Sequence, residues 1–159
     1  MRRPITSYRK DEAGDWIAEL RCGHGQHVRH KPPFFQRPWV TTEEGRAAML
    51  GTELDCVRCD ALELPEGFTA YKRTAEFDDR TAPAGLLGEH KTKPGVWGLL
   101  QVTAGRVRYV IDGMGGRAFD LAPGSSGVIP AEVLHHVEPQ GSARFYVEFF
   151  RASRPSRGR

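Results

Sequence analysis

The chain has 159 residues, of which 39% are hydrophobic and 27% charged, a balance typical of a globular protein rather than of a membrane-spanning or low-complexity chain. No apolar run approaches the roughly 18 residues of a membrane helix, and no apolar stretch follows the charged start to make a secretory signal. Three cysteines are an odd number, and two of them form a C-x-x-C, which favours metal binding in a reducing compartment over a disulfide. We therefore expect a cytoplasmic protein that does not enter a membrane.

The net charge of +3 comes from the end of the chain. Residues 1–64 carry ten Lys or Arg and ten Asp or Glu, and residues 65–150 carry nine and ten. The last nine residues add four arginines and no acid, and Pro, Gly and Ser interrupt any pattern there, so residues 152–159 are predicted to be a disordered basic tail. Because the remainder is close to neutral, the basic composition argues little for nucleic acid as a partner.

A histidine-rich turn dominates the N-terminal part. Trp16–Cys22 alternates like a strand, residues 23–26 form a tight connection, and His27–His30 would begin a returning strand. If Cys22 and His27 face each other across this turn, their Cβ atoms lie about 5 Å apart, a separation that one metal ion can bridge. His24 at the tip of the turn is the alternative ligand.

A second pair of ligands follows a predicted helix. Thr41 to Glu44 has the S/T-x-x-E form of a capping box, so a helix is expected from there to about Leu50. The C-x-x-C of Cys56 and Cys59 comes next, with a spacing that lets a tight knuckle direct both thiolates at one ion. A unit of about 64 residues with a small hydrophobic core usually needs a further source of stability, such as a bound metal ion. We predict a closed structural zinc site, in a small α+β module spanning residues 1–64, whose ligands are Cys22, His27, Cys56 and Cys59, with His24 as the alternative to His27.

The first 60 residues also resemble a small, uncharacterised bacterial domain. The resemblance is carried by Cys-Gly-His-x-Gln-His-Val-Arg-His-x-Pro-Pro from Cys22, by Arg-Pro-Trp-Val from Arg37, by Glu-Gly-Arg from Glu44 and by the late C-x-x-C. It supports the module boundary and the metal site, and it implies no activity.

Residues 65–151 have the pattern of a small β-structure. Short apolar runs are separated by Gly and Pro, Asp112–Gly116 is typical of a hairpin turn, and no long helix is indicated. The expected fold class is therefore mainly β, with an antiparallel barrel or jelly roll of about 85 residues at the C-terminus. The runs are Leu99–Thr103, Val107–Asp112, Arg117–Leu121, Gly127–Ile129, Val137–Glu138 and Ala143–Phe150.

This half resembles a cupin. Gly124 to His135 reads G-x5-P-x-E-x2-H, close to the second cupin motif, with Glu132 where the family has glycine. The first motif keeps its first histidine, His90, and lacks the second histidine and the glutamate. Together with Thr81-Ala-Pro-Ala-Gly and the stretch from His90 to Trp97, these pieces look like the TehB/YeaR group of cupin-like domains. That resemblance implies a role in resistance to tellurite or to related oxidative or nitrosative stress.

Catalytic cupins commonly hold their metal with three histidines and a glutamate, so the resemblance implies a site for zinc or iron at His90 and His135 that needs a third ligand. Glu148 is the best candidate, because we expect it to point into the barrel. The weaker candidates are His136, Glu132 and Gln101. Adjacent residues of a strand point to opposite faces, so at most one of His135 and His136 is expected to face the interior.

Three functions remain open at this point. The leading hypothesis is a metal-binding protein of two modules, with a structural zinc module and a TehB/YeaR-like cupin that binds a metal or a small-molecule ligand. The second is a cupin-type oxygenase or isomerase, for which the catalytic residues are unassigned. The third is a regulatory or nucleic-acid-binding module. A homodimer through an edge strand would fit a cupin barrel.

Overall fold

A computed structural model of the chain describes residues 1–153. It separates into two compact units that meet between Glu66 and Gly67, two residues beyond the boundary expected from the sequence. Of the predicted tail, residues 154–159 lie outside the described residues. The prediction is wrong for the first two positions, because Ala152 ends the last strand and the backbone N–H of Ser153 donates to the carbonyl oxygen of Gly67 at 3.1 Å. Over residues 1–153, no helix combines the length and the apolar character that a membrane span requires.

The first unit is an antiparallel sheet with strand order β3-β2-β1-β4, joined by short helices. The apolar side chains of Ile5, Ile17, Ala18 and Leu20 from β1 and β2 are buried and form its small core. Its elements are β1 (Arg2–Lys10), β2 (Trp16–Leu20), β3 (Gly25–His27), a 3₁₀ turn (Pro38–Thr41), α1 (Glu43–Ala48), β4 (Glu53–Asp55) and α2 (Val57–Asp60).

Helix α1 begins one residue later than the capping box suggested. The N-cap is Thr42, whose Oγ1 accepts a hydrogen bond from the backbone N–H of Gly45 at 3.1 Å. A Cβ atom at Gly45 would lie 2.3 Å from the carbonyl oxygen of Trp39. Glycine is therefore required there, despite its low helix propensity, because the backbone of the preceding turn comes so close.

The second unit is an antiparallel sheet in which β5, β10, β7 and β8 lie side by side, while β6 pairs with β10 and β9 pairs with β7. Two long strands, β7 and β10, are paired over most of their length and organise the unit. Its elements are β5 (Phe68–Arg73), β6 (Phe77–Asp78), α3 (Ala84–Leu87), β7 (Trp97–Ile111), a 3₁₀ turn (Asp112–Met114), β8 (Arg117–Leu121), β9 (Ser126–Ile129) and β10 (His136–Ala152).

The predicted strands of this unit are present, but some are fused. Leu99–Thr103 and Val107–Asp112 are predicted as separate strands, but β7 contains both except for Asp112, which begins the 3₁₀ turn, and it continues through Gly105 at φ +66°. Val137–Glu138 and Ala143–Phe150 likewise both lie in β10, whose register with β7 shifts between Gln140 and Phe145. Such bulges let one strand continue through a break in its apolar pattern. The glycine-rich turn connects β7 to β8, as predicted.

The core of the second unit is aromatic. Trp97, Tyr109 and Phe145 are fully buried with Leu100 and Ile111. The hydroxyl of Tyr109 donates to the carbonyl oxygen of Val128 at 2.9 Å, which satisfies the buried polar atom, and burial raises the pKa of this phenol. The fold is mainly β and antiparallel, as the sequence predicted, while the cupin jelly roll itself stays a prediction.

Candidate metal centre and histidine cavity

Four buried side chains of the first unit converge on one point. The donor atoms of Cys22, His24, Cys56 and Cys59 all lie within 4.8 Å of one another. The Nδ1 atom of His24 is 3.5, 3.4 and 3.6 Å from the Sγ atoms of Cys22, Cys56 and Cys59, and the Sγ atoms of Cys22 and Cys56 are 3.9 Å apart.

These separations are close to the edges of a zinc tetrahedron. With Zn–S bonds of about 2.3 Å and a Zn–N bond of about 2.05 Å, tetrahedral geometry places sulfur and nitrogen about 3.6 Å apart and two sulfurs about 3.8 Å apart. The donors are therefore spaced to hold an ion between them. The chemistry of the set, three thiols and one imidazole, also suits zinc.

Two local structures bring the donors together. Cys22 and His24 flank Gly23, which has φ +97° and turns the chain tightly between β2 and β3. Cys56 is the N-cap of α2, and the backbone N–H of Cys59 donates to its carbonyl oxygen at 3.1 Å. The sheet brings these segments together, because β1 pairs with β2 on one side and with β4, which directly precedes Cys56, on the other.

The imidazole of His24 is held in the orientation that a ligand needs. Its Nε2 lies 3.0 Å from the carbonyl oxygen of Glu63. A carbonyl oxygen can only accept, so Nε2 carries a proton and Nδ1 is the ring atom that faces the three sulfurs, where it would bind a metal ion after losing its own proton. A backbone carbonyl bonded to the second ring nitrogen is a common support of metal-ligating histidines.

The pKa values of these groups shift in different directions. Burial alone would lower the pKa of His24, but the hydrogen bonds with Cys22 and Cys56 outweigh it and raise the pKa to about 9. Hydrogen bonds with Cys22 and Cys59 hold the pKa of the Cys56 thiol far below its usual range, whereas those with Cys22 and Cys56 raise the pKa of the Cys59 thiol. A thiolate at Cys56 therefore faces a protonated imidazole, and a metal ion would replace the protons that these groups share.

His27, the preferred fourth ligand in the sequence analysis, lies elsewhere. The register of β2 and β3 pairs His27 with Ile17 rather than opposite Cys22. Its side chain is 47% exposed, and its Nε2 is 2.8 Å from a carboxylate oxygen of Asp11. His24 thus replaces His27 in the candidate set, because the turn carries His24 to the thiols while the strand carries His27 to the surface.

A second pair of histidines lies in the second unit. His90 and His135 exchange backbone hydrogen bonds of 3.0 and 2.9 Å, and their rings are 4.2 Å apart. The Nδ1 of His90 is 2.9 Å from the carbonyl oxygen of Gly88, and that of His135 is 2.8 Å from that of Val133. Each Nδ1 therefore carries a proton, which leaves Nε2 as the metal- or ligand-binding atom.

Both histidines line a cavity of about 290 Å³. Burial lowers the pKa of His135 to about 4, so its ring is neutral at pH 7. Its neighbour His136 points away, as alternation in a strand requires, with Nδ1 2.7 Å from Asp112 and Nε2 3.0 Å from Glu138. The hydrogen bond with Asp112, followed by that with Glu138, raises the pKa of His136.

The predicted third ligand, Glu148, does not line the cavity. Val147 and Phe149 on either side of it do, so its side chain lies on the opposite face of β10. Gln101 alternates in the same way with the buried Leu100 and Val102. Among the residues that the structure describes, no third His, Cys, Asp or Glu lies close enough to complete a site with His90 and His135.

Glu132 occupies a strained position at the edge of this region. Its φ of +62° lies in the left-handed region that favours glycine, and its backbone N–H donates to Oγ1 of Thr92 at 3.2 Å. The resemblance noted in the sequence expects glycine at this position, and the backbone here has a conformation that glycine favours.

Sequence reasoning also missed the composition of the cavity wall. Lys72, Lys91 and Lys93 line the cavity beside the histidines. Lys91 and Lys93 follow the predicted ligand His90 by one and three positions in the sequence, and this proximity was the available signal. Lys72 lies on β5 and could be assigned to the cavity only from the folded sheet.

Comparison with known protein families separates the same two parts. Residues 6–63 match a family described as a protein of unknown function, DUF3565, and residues 72–147 match the TehB-like domain. None of the curated proteins matches this chain.

Two solved structures are similar. A protein from E. coli strain K12 is 27% identical with a TM-score of 0.54, and the match covers 58% of this chain and 98% of that one. TehB from Haemophilus influenzae is 21% identical with a TM-score of 0.51, and the match covers 55% of this chain and 32% of TehB. The likeness to TehB is one of fold, and about a third of the TehB chain takes part in it.

Proposed function

We propose that this protein is a cytoplasmic metal-binding protein of two modules, in which a structural zinc module precedes a TehB/YeaR-like cupin that binds a small ligand. The zinc would be held by Cys22, His24, Cys56 and Cys59. The ligand would bind in the cavity at His90 and His135. By the family resemblance, its role would lie in the response to tellurite or to oxidative or nitrosative stress.

The observation that carries the proposal is the spacing of the four donors in the first unit. Sulfur–nitrogen distances of 3.4 to 3.6 Å leave room for an ion that contacts all four donors. Zinc has no redox chemistry, and four protein ligands complete its tetrahedron, so such a site stabilises a fold rather than catalysing a reaction. With its small core, the first unit fits a module that folds when it binds metal.

The proposal for the second unit rests on the histidine pair and the TehB-like match. Two ring nitrogens oriented by backbone carbonyls border a partly open cavity, which is a usual form of a small-molecule site with a few fixed polar groups. Zinc or iron could share this space if the ligand supplied further donors, because two protein donors alone hold a metal weakly. A ligand-binding cupin therefore fits better than a cupin-type oxygenase or isomerase.

The zinc assignment is tested by a matched pair of variants in the full-length chain. Purified wild-type protein should contain one tightly held zinc per chain by elemental analysis. His24→Ala should weaken zinc binding by about 100-fold or more in competition with a coloured chelator, whereas His27→Ala should change it by less than about 3-fold. Equal losses in the two variants, or wild-type protein without zinc, would contradict the proposal.

The stress role is tested in the organism that carries the gene. Deleting the gene should increase sensitivity to tellurite, to peroxide or to a nitric oxide donor, and the wild-type gene should restore growth. A His90→Gln/His135→Gln gene should fail to restore it, while Glu148→Gln, outside the cavity, should succeed. Growth of the deletion strain equal to that of its parent under all three stresses would remove the proposed role.

A further inference from the structure

The cavity in the second unit has a one-sided charge. Of the described residues that line it, three are lysines and two are histidines, and none is an aspartate or a glutamate. The lysines come from two segments, Lys72 from β5 and Lys91 and Lys93 from the connection between α3 and β7. Positive charge is therefore supplied by both segments.

Among the described residues, most nearby arginines already contact a carboxylate or an aromatic ring, whereas these three lysines form no ion pair with a carboxylate. Arg108 and Arg144 lie 3.7 and 3.5 Å from the carboxylates of Glu138 and Glu76, and Arg73 lies over the ring of Tyr146. Within residues 1–153, no ion pair joins Lys72, Lys91 or Lys93 to a carboxylate. Their charges remain available to a bound molecule.

The remaining walls are mostly apolar. Leu86, Val96, Ile129, Val147 and Phe149 line the cavity, which would exclude water from a ligand of matching size. The polar side chain between the lysines is already used, because Oγ1 of Thr92 donates to the carbonyl oxygen of Val96 at 2.7 Å and accepts from the N–H of Glu132. The three lysine side chains are themselves exposed, so they attract an anion as a cluster of like charges beside the cavity, and salt would screen this attraction.

We propose that the cavity binds a small organic anion, with its charged group at Lys72, Lys91 and Lys93 and its apolar body against Val147 and Phe149. This inference rests on the small-ligand site of the proposed function and adds the chemical class of the ligand. A cavity of about 290 Å³ suits a molecule of the size of a substituted benzoate or a short fatty acid.

The test is an NMR titration of the full-length protein with matched probes. Benzoate and hexanoate are compared with their neutral amides, benzamide and hexanamide, and phenyl phosphate is included as a second kind of anion. Saturable shifts are expected at the backbone amides of Thr92, Val96 and Val147. Each carboxylate should bind about 10-fold more tightly than its amide, and the difference should shrink as salt is added.

Lysine variants test whether the lysines of the cavity, rather than the overall charge of the protein, bind the anion. Replacing Lys72, Lys91 and Lys93 together by Ala should weaken anion binding by about 10-fold and leave amide binding unchanged. The matched control replaces Lys10 and Lys31, the two lysines of the first unit, and should leave both unchanged. All five side chains are exposed, so their loss should not unfold the protein.

The results distinguish the inference that the ligand is an anion from the small-ligand site on which it rests. Amides that bind as tightly as the anions would overturn the anion inference and leave a neutral small-ligand site. No saturable shift at the cavity with any probe would overturn both. A loss of anion affinity as large in the Lys10 and Lys31 control as in the triple variant would show that general charge, not the cavity, attracts the anion.

Discussion

The cysteine–histidine cluster and the histidine pair differ in the number of donor atoms that converge. In the first unit, four donors from two segments lie within reach of one ion, which is the number of ligands that a structural zinc would need. In the second unit, His90 and His135 provide two ring nitrogens beside a cavity. The density of histidines in the sequence is no guide, since His27 and His30, close to Cys22, are bonded to Asp11 and to the backbone of Arg37 instead.

The largest effect should come from removing the metal ion that we propose for the first unit. Metal binding to such sites contributes roughly 10–16 kcal/mol, as much as the whole stability of an ordinary domain. Cys59→Ala, or treatment with a strong chelator, should therefore unfold this unit and leave the second intact. The indole N–H signals of Trp16 and Trp39 should collapse in an NMR spectrum while that of the buried Trp97 persists.

Either of two results would break this contrast. If Trp97 lost its dispersed signal together with Trp16 and Trp39, the metal would support both units. If all three signals survived in Cys59→Ala, the cluster would not be what stabilises the first unit.

A smaller loss of stability should appear in the second unit as pH falls. The pKa of His135 is lowered to about 4 in the folded state from 6.5, so the unfolded chain binds a proton that the folded chain does not. The resulting loss of stability develops below about pH 6.5 and reaches about 3 kcal/mol by pH 4. Urea unfolding of wild-type protein and His135→Gln, with chelator present and followed at Trp97, should show this pH dependence in the wild type alone.

The neighbouring histidine provides a control of opposite sign. The pKa of His136 is raised, above all by its hydrogen bond with Asp112, so its contribution is present at low pH and disappears as pH rises through the folded-state pKa. His136→Gln should therefore destabilise the protein more at acidic than at alkaline pH. If the free energy of unfolding changed with pH in the same way in His135→Gln and His136→Gln, the buried ring of His135 would not be the source of the acid sensitivity.

The smallest effect concerns the backbone beside the histidine pair. At Glu132, with φ +62°, glycine should be more stable than alanine by about 1 kcal/mol, because only the alanine variant keeps a Cβ in the left-handed region. Both variants lack the carboxylate, so the comparison isolates the backbone. Chemical denaturation of Glu132→Gly and Glu132→Ala measures it, and an alanine variant as stable as the glycine variant would refute the strain.

Much of the fold and part of each site could be predicted from the sequence. The spacing of Cys56 and Cys59 and the density around Cys22 identified three of the four clustered donors, since a C-x-x-C knuckle forms from local geometry. The alternation of Ala143, Phe145 and Val147 with polar neighbours already indicates which face of β10 is buried, and it places Glu148 on the other face. The lysine lining depends on β5 pairing with β10, some 75 residues away in the chain, and no local pattern contains that information.

The sequence by itself determined which chemical groups are present and which short-range shapes the chain adopts, namely the hairpin turns, the knuckle and the alternating strands. The tertiary structure alone decided which of these groups meet. The turn at Gly23 directs His24 to the thiols, and the register of β3 directs His27 to Asp11, although only three positions separate the two histidines. A register is fixed by the summed pairing and burial of whole strands, so the assignment of single ligands follows from the folded sheet and not from spacing.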